Sequence, residues 1–145
     1  MLKIRRVRPN DIFQIVALSF ETLPERYNPA VFNRFYEAFP EGFFVALKNN
    51  IVIGFLIGIK TRPTTARILM LSVKETIRKQ GIGTALLMQF LNEMKQQNVT
   101  QVTLEVRTTN QNAIEFYKKQ GFHLEETLHH FYQNGEEAYS MTKEL

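Results

Sequence analysis

Apolar and polar positions change their spacing repeatedly along this chain, and each change marks an element. Leu2-Lys3-Ile4-Arg5-Arg6-Val7 roughly alternates, as a half-buried strand does. Pro9-Asn10-Asp11 opens a helix with Ile12, Ile15, Val16 and Ser19-Phe20 along one stripe. A loop from Thr22 to Pro29 holds two prolines. A second short helix carries Val31, Phe32, Phe35 and Tyr36 on one side and stops at Pro40-Glu41-Gly42. Phe43–Leu47 and Ile51–Ile59 read as two strands joined by Lys48-Asn49-Asn50 in a hairpin. Gly54 and Gly58 weaken the second strand, or let another backbone come close.

Arg62-Pro63-Thr64-Thr65 is a turn before a strand over Arg67–Val73. A glycine loop leads into a helix from Gly83 to Gln97, with Ala85, Leu86, Met88, Leu91 and Met94 at helical spacing. Gln101–Arg107 is a strand with Val102, Leu104 and Val106 on one face and Glu105 on the other. Asn110 caps a helix whose apolar side holds Ala113, Ile114 and Tyr117, and Gly121 ends it. Phe122–Tyr132 and Glu137–Met141 form a last hairpin around Asn134-Gly135. The order βααβββαβαββ predicts an α/β fold with a mixed sheet and helices on its faces. No repeat or linker divides it, so residues 1–145 read as one domain.

Composition narrows the chemistry. The chain has no cysteine, which excludes disulfides, thiolate metal sites and a cysteine nucleophile. The formal net charge of +4 fits a solubility surplus, and the Lys and Arg residues form no long block, so nucleic acid is not indicated. The N-terminal MLKIRRVRPND is not followed by the apolar core of a signal peptide, and no run approaches the ~20 apolar residues of a membrane span. These features read as a soluble, cytoplasmic protein. His129 and His130 are neighbours in a predicted strand, so they point to opposite faces and make poor joint ligands; with His123 they are read as ordinary histidines, and no metal site is expected.

Arg78-Lys79-Gln80-Gly81-Ile82-Gly83-Thr84 places two glycines and two cations at a strand-to-helix turn. A helix start leaves backbone N–H groups unpaired and a partial positive charge, which suits a phosphate group. No Gly-Lys-Ser/Thr closes the loop, and Leu86 stands where a dinucleotide fingerprint needs its third glycine. Together with Leu71-Ser72-Val73, this stretch resembles the acetyl-CoA loop of the GNAT superfamily of N-acetyltransferases. Leu104-Glu105-Val106-Arg107, Asn110, Ala113-Ile114, Tyr117 and Gly121-Phe122 resemble the second half of that family's cofactor site. The similarity spans essentially the whole chain.

The resemblance implies direct transfer of an acetyl group from acetyl-CoA to an amine, with no metal. It implies that residues 78–84 hold the pyrophosphate, and that Leu71 and Val73 lend backbone groups to the pantetheine arm between two splayed parallel strands. The Val73 N–H becomes a candidate oxyanion donor. Asn110 is a helix cap, a ligand to the coenzyme A arm, or both. Tyr117 matches the tyrosine that faces the coenzyme A sulfur and becomes the general acid, because a phenol of pKa about 10 is protonated at neutral pH. Glu105 becomes the general base, through an ordered water.

Leu23-Pro24-Glu25-Arg26-Tyr27 resembles the substrate loop of amino-terminal acetyltransferases, and Tyr132 with Glu137-Ala138-Tyr139-Ser140-Met141 resembles their last hairpin. The resemblance therefore makes Leu23, Pro24, Glu25, Tyr27, Tyr132 and Tyr139 candidate acceptor residues and a protein N-terminus the expected partner. Arg26 and Lys74-Glu75 depart from that group's pattern. A small-molecule amine or an internal lysine is the alternative acceptor. A coenzyme A sensor or scaffold subunit is the alternative class. A homodimer through the edge of the last hairpin is compatible with the sequence.

Overall fold

The computed structural model describes residues 1–145. Its strands are β1 (Leu2–Arg6), β2 (Phe43–Lys48), β3 (Ile51–Arg62), β4 (Thr65–Val73), β5 (Gln101–Arg107), β6 (His123–Leu128) and β7 (Ala138–Glu144). The helices are α1 (Ile12–Thr22), α2 (Ala30–Ala38), α3 (Ile82–Gln96) and α4 (Gln111–Lys119). One sheet of seven strands runs in the order β1-β2-β3-β4-β5-β7-β6, so β1 and β6 are its edges. The pairings are antiparallel apart from β4 with β5.

Each face of the sheet carries its own core. On one, Leu86, Leu87, Phe90 and Met94 of α3 and Ile114 and Tyr117 of α4 pack on Ile68, Val102, Leu104 and Val106. On the other, Ile12, Ile15 and Leu18 of α1 and Phe32 of α2 pack on Phe43, Val45, Phe55, Ile57 and Met70. The two glycines of β3 have steric reasons. A Cβ at Gly58 would lie 2.3 Å from the ring of fully buried Phe90, so Phe90 rests on bare backbone. A Cβ at Gly54 would lie 3.0 Å from the Ser72 carbonyl oxygen.

The joint between β4 and β5 positions everything else. They pair in parallel over Thr65–Ile68 and Gln101–Leu104, and then part. On the other side of β4, Ile57 pairs with Met70 and Gly58 with Ile68, which leaves Leu69 as an extra residue, a β-bulge. One extra residue reverses the facing of the rest of the strand. Ahead of the bulge, Ala66 and Ile68 face α3; beyond it, Met70 joins the α1 core while Leu71 and Val73 face α3.

Several sequence expectations shift. Phe20 is exposed, with the Arg26 guanidinium 5.5 Å from its ring centre, while Leu18 fills the buried stripe. Met88 is also exposed; Leu87 and Phe90 take its place. The last hairpin is shorter on one arm and longer on the other: β6 stops at Leu128 and β7 reaches Glu144. His129 and His130 therefore lie in the connecting loop, not in a strand, and His130 has a positive φ of 54°. The Asn134-Gly135 turn does form, with Gly135 N–H donating to the Tyr132 carbonyl at 2.8 Å, but within a loop over 129–137.

At the start of α1, buried Asp11 accepts from Arg5 Nη1 at 2.7 Å and Nη2 at 3.0 Å, and from the Arg8 N–H at 2.7 Å. Burial works against its charge, yet the Arg5 guanidinium and the Arg8 N–H hold its carboxyl below the usual range. Its folded pKa is thus lower than its unfolded value, so its contribution is present above pH ~4 and is lost as pH falls through the folded pKa. Asp11→Asn is expected to lower stability by about 1–3 kcal/mol at pH 7, a gap that denaturant titrations should find closing below pH ~4. Gly58→Ala is expected to destabilise by about 1–3 kcal/mol, because the buried ring of Phe90 must move; a lower denaturant midpoint at unchanged slope is the readout.

Candidate functional site

The site arises where β4 and β5 part. Beyond Ile68 and Leu104 the facing edges of these strands have no strand partner, which opens a slot through the sheet. The start of α3 stands at the slot on one face. The loop between α1 and α2 and the loop between β6 and β7 stand at it on the other.

On the α3 side, Gly81 has a φ of +83° and closes the turn into the helix; Lys79 also has a positive φ, of 67°. No side chain caps the helix. The Ile82, Gly83 and Thr84 N–H groups have no acceptor within the chain, as expected of a first helical turn. A Cβ at Gly83 would meet nothing closer than 3.6 Å, the ring of Phe116, so the chain itself does not require glycine there. Bare backbone with free donors is a cradle for an anionic group. Arg78, Lys79 and Gln80 are exposed around it, and Arg78 Nε donates to the Val73 carbonyl at 3.1 Å. Ile82 itself is buried, so its side chain serves the core. Thr84 Oγ1 accepts from Gln120 Nε2 at 3.3 Å, which joins α3 to the end of α4.

Leu71 and Val73 face this side, but Ser72 does not. Ser72 is buried towards α1, where its hydroxyl donates to Thr22 Oγ1. Asn110 caps α4, its Oδ1 accepting from the Ala113 N–H at 3.2 Å. That cap sets the register of the helix carrying Tyr117. The Tyr117 ring is buried edge-on between Phe116 at 5.1 Å and Phe122 at 5.6 Å. Its hydroxyl makes no hydrogen bond within the chain, and no fully buried polar side-chain atom lacks a partner, so the oxygen keeps some solvent access. Burial, and then the nearby Tyr132, push the Tyr117 phenol well above its ordinary value.

On the opposite face, Glu105 Oε1 accepts from Arg67 Nε at 2.8 Å and Nη2 at 2.7 Å. Both bonds go to one oxygen, so Oε2 is free. Arg107, on the same face of β5, forms ion pairs with Glu25 and, at 3.3 Å, with Glu136. Its guanidinium lies 3.9 Å from the centre of the Tyr132 ring. Tyr27 and Leu23 pack on the α1–α2 core, Tyr27 edge-on to Phe32 at 6.4 Å, while Pro24 is exposed. Burial raises the Tyr27 phenol, and Glu25 adds to this while Arg107 opposes it. Burial likewise raises Tyr132, against the pull of Arg107.

The structure thus brings together Glu105, Glu25, Tyr27 and Tyr132. Tyr139 stays apart from them: it pairs with Val106 and packs against the α3–α4 core. Arg67, Glu136 and Thr22 lie outside the sequence motifs, and Arg107 lies within one that gives it no part. Strand alternation alone places Arg107 beside Glu105. Arg67 needed the β4–β5 register, which no local pattern encodes.

The family model described as the acetyltransferase (GNAT) family matches residues 10–122. An N-alpha-acetyltransferase of Sulfurisphaera tokodaii is 36% identical, with 99% of this chain and 93% of that protein covered. The solved structure of Ard1 from Thermoplasma volcanium superposes with a TM-score of 0.96 at 38% identity, over 99% of this chain and 97% of that one. Naa50 of Arabidopsis thaliana, in complex with the bisubstrate analogue CoA-Ac-MVNAL, superposes with a TM-score of 0.87 at 28% identity, covering 99% of both chains. The motifs around the slot, the order of the strands and these likenesses agree: the chain belongs to the acetyltransferase (GNAT) family.

Proposed function

We propose that this enzyme transfers the acetyl group of acetyl-CoA to the α-amine of a protein N-terminus, working in the cytoplasm as one domain over residues 1–145. The slot between β4 and β5 carries the reading, with an anion cradle at one mouth and a groove of Tyr27, Glu25 and Tyr132 at the other. The similarity to the Sulfurisphaera tokodaii N-alpha-acetyltransferase and to Naa50 with its CoA–peptide analogue supports both halves.

Acetyl-CoA supplies an activated acyl carbon and a thiolate leaving group. The free N–H groups of Ile82, Gly83 and Thr84 bind its pyrophosphate, on the turn shaped by Gly81 and flanked by Arg78, Lys79 and Gln80. The unpartnered edge of β4 offers the backbone groups of Leu71 and Val73 to the pantetheine arm, with those of Ser72 between them turned to β3, and the Asn110 amide nitrogen, unused by the cap, offers another donor. Glu105 takes the amine proton on its free Oε2, through water. Tyr117 gives a proton to the leaving sulfur. Leu23, Pro24, Glu25, Tyr27 and Tyr132 hold the first residues of the acceptor. The exposed edge strand β6 is where a homodimer would pair.

Peptides beginning Ser, Ala, Met-Leu and Met-Glu, the same peptides N-terminally blocked but with a free lysine, and spermidine form the decisive acceptor panel. Transfer to the free α-amines alone is the expected result; transfer to blocked peptides or spermidine alone would sink the N-terminus assignment. Tyr117→Phe is expected to lower kcat about 100-fold or more with little change in either KM, and Glu105→Gln to do the same. Because the Tyr117 pKa is raised, its deprotonation should not limit kcat below pH ~10. An alkaline limb below that pH in the wild type, absent in Tyr117→Phe, would contradict the raised pKa.

A further inference from the structure

The loop between α1 and α2 is fastened to both arms of the slot. Its start is Thr22, the last residue of α1. Thr22 Oγ1 donates to the Leu18 carbonyl at 2.8 Å and accepts from the Ser72 hydroxyl on β4. Ser72 is buried and Thr22 half-buried, so this small chain of hydroxyls is partly shielded from water. Further along, Glu25 is ion-paired with Arg107 at the end of β5. Ser72 and Arg107 both lie beyond the last paired residues, Ile68 and Leu104, so the two fastenings sit on strands that no longer hold each other. Arg107 also grips the opposite wall of the groove, through Glu136 and the face of Tyr132.

We propose that Thr22 and Arg107 are positioning residues that span the slot and fix the acceptor-binding loop, with Arg107 also locking the loop between β6 and β7 in register with it. This rests on the acceptor groove assigned above. The physical grounds are geometric. A loop over residues 23–29 has little internal bonding: Leu23 N–H returns to the Ser19 carbonyl, and no other backbone N–H within it donates to the backbone. Leu23 and Tyr27 anchor it on the α1–α2 core, and the width of the groove that half-buried Tyr27 and Glu25 line depends further on the two ties. The guanidinium suits this role because its planar fork meets two carboxylates and stacks on an aromatic ring at the same time.

The test separates fastening from catalysis. In Thr22→Val and Arg107→Gln, limited trypsin cleavage after the exposed Arg26 should quicken, while the amides of α3 stay protected from hydrogen exchange. The peptide KM should rise about threefold for Thr22→Val and about tenfold or more for Arg107→Gln, with the acetyl-CoA KM within about twofold of wild type. Arg107→Lys should recover part of the loss. A Glu25→Gln and Arg107→Gln cycle should be strongly non-additive. Unchanged cleavage after Arg26 in Arg107→Gln, or equal rises in both KM values, would overturn the proposal. A wild type that ignores free α-amines would instead sink the acceptor assignment, and the cleavage readout would still decide the fastening.

Discussion

Four residue pairs join β4 to β5 in parallel, and then the strands separate. Once they part, backbone donors and acceptors on both edges lack the ladder that would satisfy them, and such groups need partners from elsewhere. The bulge at Leu69 sits where the pairing stops. It ends the contact with β5 and turns Leu71 and Val73 to the α3 side in one step. A sheet is thereby given an internal edge, ready for an extended guest that carries its own amides, much as an outer edge accepts an added strand.

The two mouths of this slot use different electrostatics. At the α3 end the donors are backbone N–H groups, presented by a left-handed Gly81 and an uncrowded Gly83. They are fixed by the helix and lose little freedom when they bind. At the other end the charges are side chains held in pairs. Glu105 is held by Arg67; Glu25 and Glu136 share Arg107. Pairing offsets the repulsion among three neighbouring carboxylates, and it leaves one Glu105 oxygen free.

Tyr117 is first a packing residue. Its ring fills the space between Phe116 and Phe122. The Asn110 cap and the left-handed Gly121 fix the two ends of its short helix, so the ring has one place to go. The burial that makes Tyr117 a good packing residue also keeps its phenol protonated. The same burial is thus compatible with the proton-donor role proposed above.

The sequence by itself determined the element order, the two-faced sheet and the chemistry of the α3 start, because these rest on local signals. Period-two and helical spacing, the left-handed glycines and the Asn110 cap act over a few residues. It misjudged Phe20 and Met88, since a stripe on a helix says which side is apolar but not which neighbour has room for it. It extended the strand through His129 to Tyr132, because β-like composition does not reveal where a partner strand ends. Only tertiary structure decided the bulge at Leu69, the Arg67–Glu105 pair and the ties from Thr22 and Arg107. Those depend on register between segments far apart in the chain, as with Glu25 and Arg107. Register is set by how whole faces pack, and no short stretch of residues carries that information.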